Sequence, residues 1–338
     1  MAKPSSIMRE TGVHCIIYGE PKSGKSTLVS KLLKSGKFKL WWFSLDNGHE
    51  VLWKLNLKKE ELDDRLELFV IPDTREFPVA LKTVRAVCSG RETFICDIHG
   101  QAGCSTCKRD SKTFSKICLD EFTPKDILVI DHAGQLSNAV TAYISIDRTK
   151  TVEEAGVYKM SLPDWGVHGA ILDGIFTNIQ QSKANIVVIT HTVESELEDG
   201  SKRLLPQIGS VNFSRNSAKY FGHVIYLQVT NRSHKAGSST TFATTAITGS
   251  RTDIAVEGMK EPDLDPFFDG RIKNVQKEEH GSSIQLAPKS EIVSPPKVTE
   301  EKGILEGTQT KTEEVKVPSK LPSNLAARLA MLNNKGKE

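Results

Sequence analysis

Apolar residues in this chain fall into short β-like runs that alternate with stretches of helical spacing. His14-Cys15-Ile16-Ile17-Tyr18 is a short apolar run, and Thr27-Leu28-Val29-Ser30-Lys31-Leu32-Leu33 repeats its apolar positions with the period of a helix. The run Phe38-Lys39-Leu40-Trp41-Trp42-Phe43-Ser44-Leu45 reads as a buried strand that stops at Asp46-Asn47-Gly48. A helical stretch follows from about Glu50, then a strand over 66–71 and a helix over 77–87. Asp126-Ile127-Leu128-Val129-Ile130-Asp131 is an apolar strand closed by an acid, and 169–181 reads as a helix before the strand 185–191. Residues 224–229 and 240–247 read as two further strands with no helix between them, which predicts an antiparallel extension. The pattern as a whole predicts an α/β domain with a mostly parallel central sheet flanked by helices, its ligand at the carboxyl ends of the strands.

One connection in this pattern carries specific chemistry. Between the first strand and the first helix lies Gly19-Glu20-Pro21-Lys22-Ser23-Gly24-Lys25-Ser26-Thr27, which fits G-x-x-x-x-G-K-[ST] at every fixed position. Strand, glycine loop and helix N-terminus converge backbone N–H groups on phosphate oxygens. In such a loop Lys25 reaches the β- and γ-phosphates of ATP, and the Ser26 hydroxyl ligates Mg2+. Asp131, at the end of its apolar strand, fits the Walker B pattern, whose carboxylate holds the magnesium shell.

Composition alters the picture mainly at the C-terminus. The chain has 338 residues, 38% hydrophobic and 7% aromatic, enough for a core, yet no Phe, Trp or Tyr follows Phe268. Residues 273–323 are rich in Lys, Glu, Ser, Thr and Pro, the composition of a disordered tail. Residues 324–334 form a short amphipathic helix pattern, suited to docking a partner and equally to an idle helix. The ATPase domain is therefore expected at 1–272. A formal net charge of +3 gives no bulk argument for nucleic acid, so local segments must supply it. No signal peptide and no membrane-spanning apolar run is legible, which predicts a soluble, cytoplasmic protein with reduced thiols.

The segment 88–120 interrupts the alternation. Cys96-x-x-His99-x4-Cys104-x-x-Cys107 supplies four ligands in two close pairs, the arrangement of a structural Zn2+ site with no position left for catalysis. Cys88 and Cys118 flank the group as substitute ligands, and Cys15 reads as a small buried apolar residue. Lys108, Arg109, Lys112 and Lys116 make the insertion basic, fit for DNA or another subunit.

The order of parts resembles the RecA-like P-loop ATPases over residues 10–260, and within them the compact phage-encoded single-strand annealing and recombination proteins. That resemblance implies a carboxylate at the end of the second core strand to orient the attacking water, a place held by Asp46 with Glu50 nearby. A turn made by Asp46-Asn47-Gly48 is the structural alternative. It implies that His191 senses the γ-phosphate, where a surface histidine is the alternative. Nothing in the sequence fixes the direction of His132. It implies that two long connections contact single-stranded DNA. One is 141–168, with Arg148, Lys150, Lys159 and Trp165; the other is 192–216, with Lys202, Arg203 and Arg215. Glu153, Glu154, Glu194, Glu196, Glu198 and Asp199 dilute their positive charge. Arg251, ending a late strand, takes the place of a finger that reaches a neighbour's γ-phosphate, with a solvated strand-end Arg as the alternative.

The resemblance thus implies an ATP-hydrolysing protein that assembles on single-stranded DNA, as filament or ring, and promotes annealing or strand pairing. A phage origin would place it in the host cytoplasm, and its tail would meet a single-strand-binding protein or another recombination partner. A ring-type DNA helicase or motor and a nucleotide-gated adaptor with little turnover are the competing readings of the same residues.

Overall fold

The structure is a computed structural model, and it describes residues 12–46, 48–73, 78–109, 113–148, 159–196, 198, 200–230, 233–237, 249–250 and 263–269. All of these lie in the first of two units, Met1–Ile284; the second is Gln285–Glu338. The expected tail at 273–323, the helix at 324–334, the strand at 240–247 and Arg251 fall outside the described residues.

The predicted alternation builds one central sheet. Strands β1 (His14–Tyr18), β2 (Lys39–Ser44), β3 (Leu66–Val70), β6 (Asp126–Asp131), β7 (Asn185–Thr190) and β10 (His223–Thr230) lie in the order β10-β1-β7-β6-β2-β3, all neighbours parallel. Two strands, β11 (Ser233–Gly237) and β12 (Gly249–Ser250), pair antiparallel with β10 and so extend the sheet antiparallel, as expected, on either side of the predicted strand 240–247 in sequence. The strands are apolar along their whole length because both faces of the sheet are covered. Successive side chains go to opposite faces, so Ile16 and Tyr18 of β1 pack with α3 (Val79–Cys88), α5 (Ala133–Arg148) and α6 (Leu162–Gln181). Cys15 and Ile17 pack on the other side, under α1 (Lys25–Lys34), the 3-10 helix Gly48–Leu55, and Leu264, Phe267 and Phe268. Between the 3-10 helix and β3 lies α2 (Lys59–Arg65).

Register sets the strand ends level. Tyr18 pairs with Thr190 and Tyr226, Asp131 with Ile189, and Ser44 with Asp131. The residues one or two beyond those pairs, at positions 19, 46, 132 and 191, therefore share one rim.

Both long connections contain regular structure that the apolar pattern did not reveal. Helix α5 continues to Arg148, and α6 begins at Leu162 rather than 169. Ser161 caps it: the Ser161 N–H and Oγ donate to Asp164 Oδ2 at 2.9 and 2.6 Å. Gly166 and Gly169 had lowered the apparent helix propensity there. The second connection folds as a hairpin of β8 (Thr192–Glu196) and β9 (Lys202–Pro206), followed by α7 (Val211–Asn216). The insertion forms a ribbon of β4 (Thr93–Cys96) and β5 (Phe114–Ile117) with α4 (Ser105–Arg109) between them. Ile95 and Ile117 join the main core, while Cys96, Cys104 and Cys107 form a small cluster of their own with Phe114. No described helix is long and apolar enough to cross a membrane.

Phe176 sits at the centre of the α6 packing, with ring centroids of Phe213, Tyr220 and Phe221 at 6.1, 5.6 and 5.8 Å. Phe176→Ala is expected to cost about 3–5 kcal/mol by leaving a cavity. Urea unfolding reads this as a lower midpoint with an unchanged m-value.

Candidate nucleotide site and metal centre

The phosphate loop leaves β1 and enters α1 with Gly24 at φ 87°, in the left-handed region that a side chain resists. Lys22 is also at positive φ, 64°, and the Ser23 N–H closes the turn on the Glu20 carbonyl at 3.1 Å. Gly19 is required for a different reason. A Cβ there would lie 2.2 Å from the Leu227 carbonyl oxygen and 2.9 Å from Ser23 Oγ, so β10 packs directly against the loop. Ser23 is buried, whereas Glu20, Pro21, Lys22 and Thr27 are exposed.

Lys25 is buried and its Nζ donates to the carbonyls of Gly19 and Glu20 at 3.0 and 2.8 Å. It also lies 3.2 Å from His191 Nδ1. Burial lowers its pKa to about 8, against the pull of Asp131, Glu20 and Asp46. Asp131 is 2% exposed, and its Oδ2 meets no donor. Burial raises its pKa to about 7, Asp46 adds to that, and a hydrogen bond from Ser26 and the charge of Lys25 oppose it. An orphaned carboxylate oxygen beside the Ser26 hydroxyl suits a hard divalent cation. Ser26 and Asp131 are the residues that would hold Mg2+ here.

Around this pair the strand ends bring further groups. Asp46 is exposed and accepts the Gly48 N–H at 3.0 Å, so it makes the turn that its sequence favours while facing Asp131 and Lys25. His191 follows β7, and its ring centroid is 4.0 Å from that of His132, which follows Asp131. His132 is pinned between two backbone donors: the His191 N–H reaches Nε2 at 3.1 Å and the Gln135 N–H reaches Nδ1 at 3.3 Å. A neutral imidazole has one lone pair to offer, so only one of these can be a full hydrogen bond. Burial, His191 and Lys25 together hold the pKa of His132 down to about 3. Burial and Lys25 likewise lower that of His191.

The structure thus brings Lys25, Ser26, Asp46, Asp131 and His191 together, with His132 facing His191. Glu50 is exposed on the 3-10 helix, and no described hydrogen bond or ion pair joins it to this group. Among the DNA candidates, Lys202 pairs with Glu194 at 2.9 Å. The Arg215 Nη2 donates to Ser195 Oγ at 2.7 Å and to the Glu196 carbonyl at 3.3 Å, so it clasps the hairpin. The hairpin itself is pinned to the rim by Thr190 Oγ1, which donates to the Gln207 carbonyl at 2.6 Å. That contact had no signal in the apolar pattern beyond a Thr at a strand end.

In the insertion, His99 Nδ1 lies 3.8, 3.6 and 3.2 Å from the sulfurs of Cys96, Cys104 and Cys107. Zinc–sulfur and zinc–nitrogen bonds of ordinary length at tetrahedral angles require roughly 3.6 Å between such ligands. The His99 N–H donates to Cys96 Sγ at 3.4 Å, a contact that steadies a thiolate. The backbone N–H of Cys107 lowers the Cys104 pKa to about 7. Thr83 on α3 clamps the knuckle, donating to the Gly100 carbonyl and accepting the Ala102 N–H, both at 3.0 Å. Cys88 packs in the main core and Cys118 donates to the Gly90 carbonyl at 3.3 Å, so neither joins the four ligands. Cys15 is buried in the core, and burial raises its pKa.

A protein-family model described as an AAA domain, AAA_24, matches residues 11–241. The chain belongs to that family and is a P-loop ATPase of the AAA type. Among solved structures, 26 chains match. One of them is the crystal structure of the RadB recombinase, 16% identical, with a TM-score of 0.34 over 67% of this chain and 80% of that one. No curated protein matches.

The buried carboxylate makes stability depend on pH. Asp131 holds its proton more tightly when folded, about 7 against 3.8, so its stabilising contribution is full below pH 4 and lost as pH rises toward 7. In nucleotide-free and magnesium-free protein, Asp131→Asn is expected to match wild type near pH 4. At pH 8 it should be the more stable, by on the order of 2–4 kcal/mol. Urea unfolding across that range measures the difference; a gap that does not change with pH would contradict the assignment.

Proposed function

We propose that the chain binds and hydrolyses Mg-ATP and couples this to assembly on single-stranded DNA, promoting annealing or strand pairing. The phosphate loop with Lys25, Ser26 and Asp131 supports the nucleotide half. Lys25 would exchange its carbonyl partners for β- and γ-phosphate oxygens, and Ser26 with Asp131 would hold the magnesium that neutralises developing charge. Asp46 would direct the attacking water, and His191, 3.2 Å from Lys25, would donate to the γ-phosphate. Arg251 is retained as the proposed trans finger that makes hydrolysis depend on a neighbouring subunit in a filament or ring.

The observation that carries the DNA half is the exposure of four apolar side chains, two on α5 and two in the first turn of α6. Tyr143 is 50% exposed, Ile146 42%, Leu162 88% and Trp165 40%, with the exposed Lys159 beside them in sequence. Aromatic faces next to a cation are the chemistry that stacks on bases and follows a phosphate backbone. Because Lys202 and Arg215 are engaged within the hairpin, the reading rests on these side chains more than on the second connection, where Arg203 alone of the three cations has no side-chain hydrogen bond or ion pair among the described residues.

ATP turnover, measured with and without single-stranded and duplex DNA, tests the proposal. Wild type is expected to hydrolyse ATP faster with single strands than with duplex. Lys25→Ala is expected to lose turnover by at least about 100-fold. Trp165→Ala should weaken single-strand binding by about 1–3 kcal/mol while leaving nucleotide affinity unchanged. Hydrolysis indifferent to DNA would overturn the DNA half alone.

We also propose that Cys96, His99, Cys104 and Cys107 hold a structural zinc ion, a fit supported by the convergence of their ligand atoms. Cys107→Ser is expected to lose stoichiometric zinc and to raise hydrogen exchange across β4 and β5 without melting β1 or β6. Elemental analysis and exchange mass spectrometry read these two outcomes.

A further inference from the structure

The four-ligand knuckle is one of two places where metal-binding side chains converge among the described residues. The other is on the rim of the nucleotide cleft. One ligand atom from each of Asp46, His132 and His191 lies within 4.8 Å of the others. Two imidazoles and one carboxylate form a donor set of the kind that holds late first-row divalent metals, with coordination positions left open. Magnesium, which prefers an all-oxygen shell, is poorly served by it.

Three features of the cleft point the same way. The rings cannot separate, because His132 and His191 follow adjacent strands and His132 is fixed from both sides by backbone N–H groups. The hydrogen bonds that a metal would displace are weak ones: His132 faces two donors with one lone pair, and the bond from Lys25 to His191 Nδ1 is 3.2 Å long. Negative charge is also at hand, since Asp131, with its orphaned Oδ2, and Asp46 flank the same space. A Cβ built on Gly48 would lie 2.6 Å from Asp131 Oδ2 and 3.0 Å from Asp46 Oδ1.

We infer that Asp46, His132 and His191 form a second metal site, one that takes a late first-row divalent cation such as Co2+, Ni2+ or Zn2+. The site shares the cleft of the proposed nucleotide reading but needs no nucleotide to bind its ion. Lys25 opposes the ion, because its ammonium lies 3.2 Å from the His191 ring. Metal at this site and the charge of Lys25 therefore disfavour each other. A bound ion would push Lys25 off His191, and removal of the lysine charge would tighten the ion.

Titration of zinc-loaded full-length protein with Co2+ in the absence of nucleotide tests this. Wild type is expected to take one further equivalent, with a ligand-field spectrum that lacks the thiolate charge-transfer band of a Cys-ligated cobalt. His132→Gln with His191→Gln should lose that equivalent, as should Asp46→Ala to a lesser degree. All these variants should keep the zinc of the Cys96 cluster, which serves as the internal check that they are folded. Lys25→Ala should retain the second equivalent and bind it about tenfold or more tightly. If wild type takes no further Co2+, or if the second equivalent survives in the double histidine variant, the inference is overturned. Failure of ATP binding in wild type would instead strike the nucleotide reading and leave this result standing.

Discussion

Asp131 is sunk at the end of β6, an interior strand of the sheet, and its burial is eased by the positive and hydrogen-bonding groups held against it. Ser26 donates to it, Lys25 sits near enough to offset part of its charge, and one oxygen is still left without a donor. Moving a carboxylate out of water costs several kcal/mol unless it is paired. A buried carboxylate with an unpartnered oxygen is suited to receive a cation. The level strand ends follow from the same need, since they bring β1, β2, β6 and β7 to one rim and so define what can surround that carboxylate.

From that rim the remaining features gain their roles. Gly19 lets the phosphate loop lie against the Leu227 carbonyl, which fixes where the loop's N–H groups point. Lys25 is folded back on the loop's own carbonyls, so its cationic end is already desolvated and partnered before any phosphate approaches. His191 is joined both to Lys25 and, through its backbone N–H, to His132. A change at the lysine is thereby felt at both rings, and at the hairpin that Thr190 holds to the rim.

Much of this was legible in the chain itself. The phosphate loop is a local motif with fixed spacing, and Asp131 ends a run of residues that could only be a buried strand, so both could be read without tertiary information. The clustering of Cys96, His99, Cys104 and Cys107 was legible for the same reason. What the sequence hid depends on contacts between distant segments. The early start of α6 was masked by its glycines and revealed by the cap at Ser161. The hairpin of β8 and β9 looked like a polar loop, because its outward positions are charged and Lys202 and Glu194 meet only when the strands pair. The direction of His132 could not be read at all, since it depends on which strand lies beside β6. Glu50 looked equivalent to Asp46 by proximity in sequence, but the turn at Asp46 leaves Glu50 on an exposed helical face.

Lys25 and Asp131 are proposed to receive a magnesium-bound triphosphate together. An experimental structure with Mg2+ and a non-hydrolysable ATP analogue tests it most directly. The account predicts that Lys25 Nζ leaves the carbonyls of Gly19 and Glu20 for the β- and γ-phosphate oxygens, and that magnesium stands between Ser26 Oγ and the Asp131 carboxylate. Nucleotide bound elsewhere, with Lys25 still on its loop carbonyls and Asp131 Oδ2 still without a partner, would contradict it.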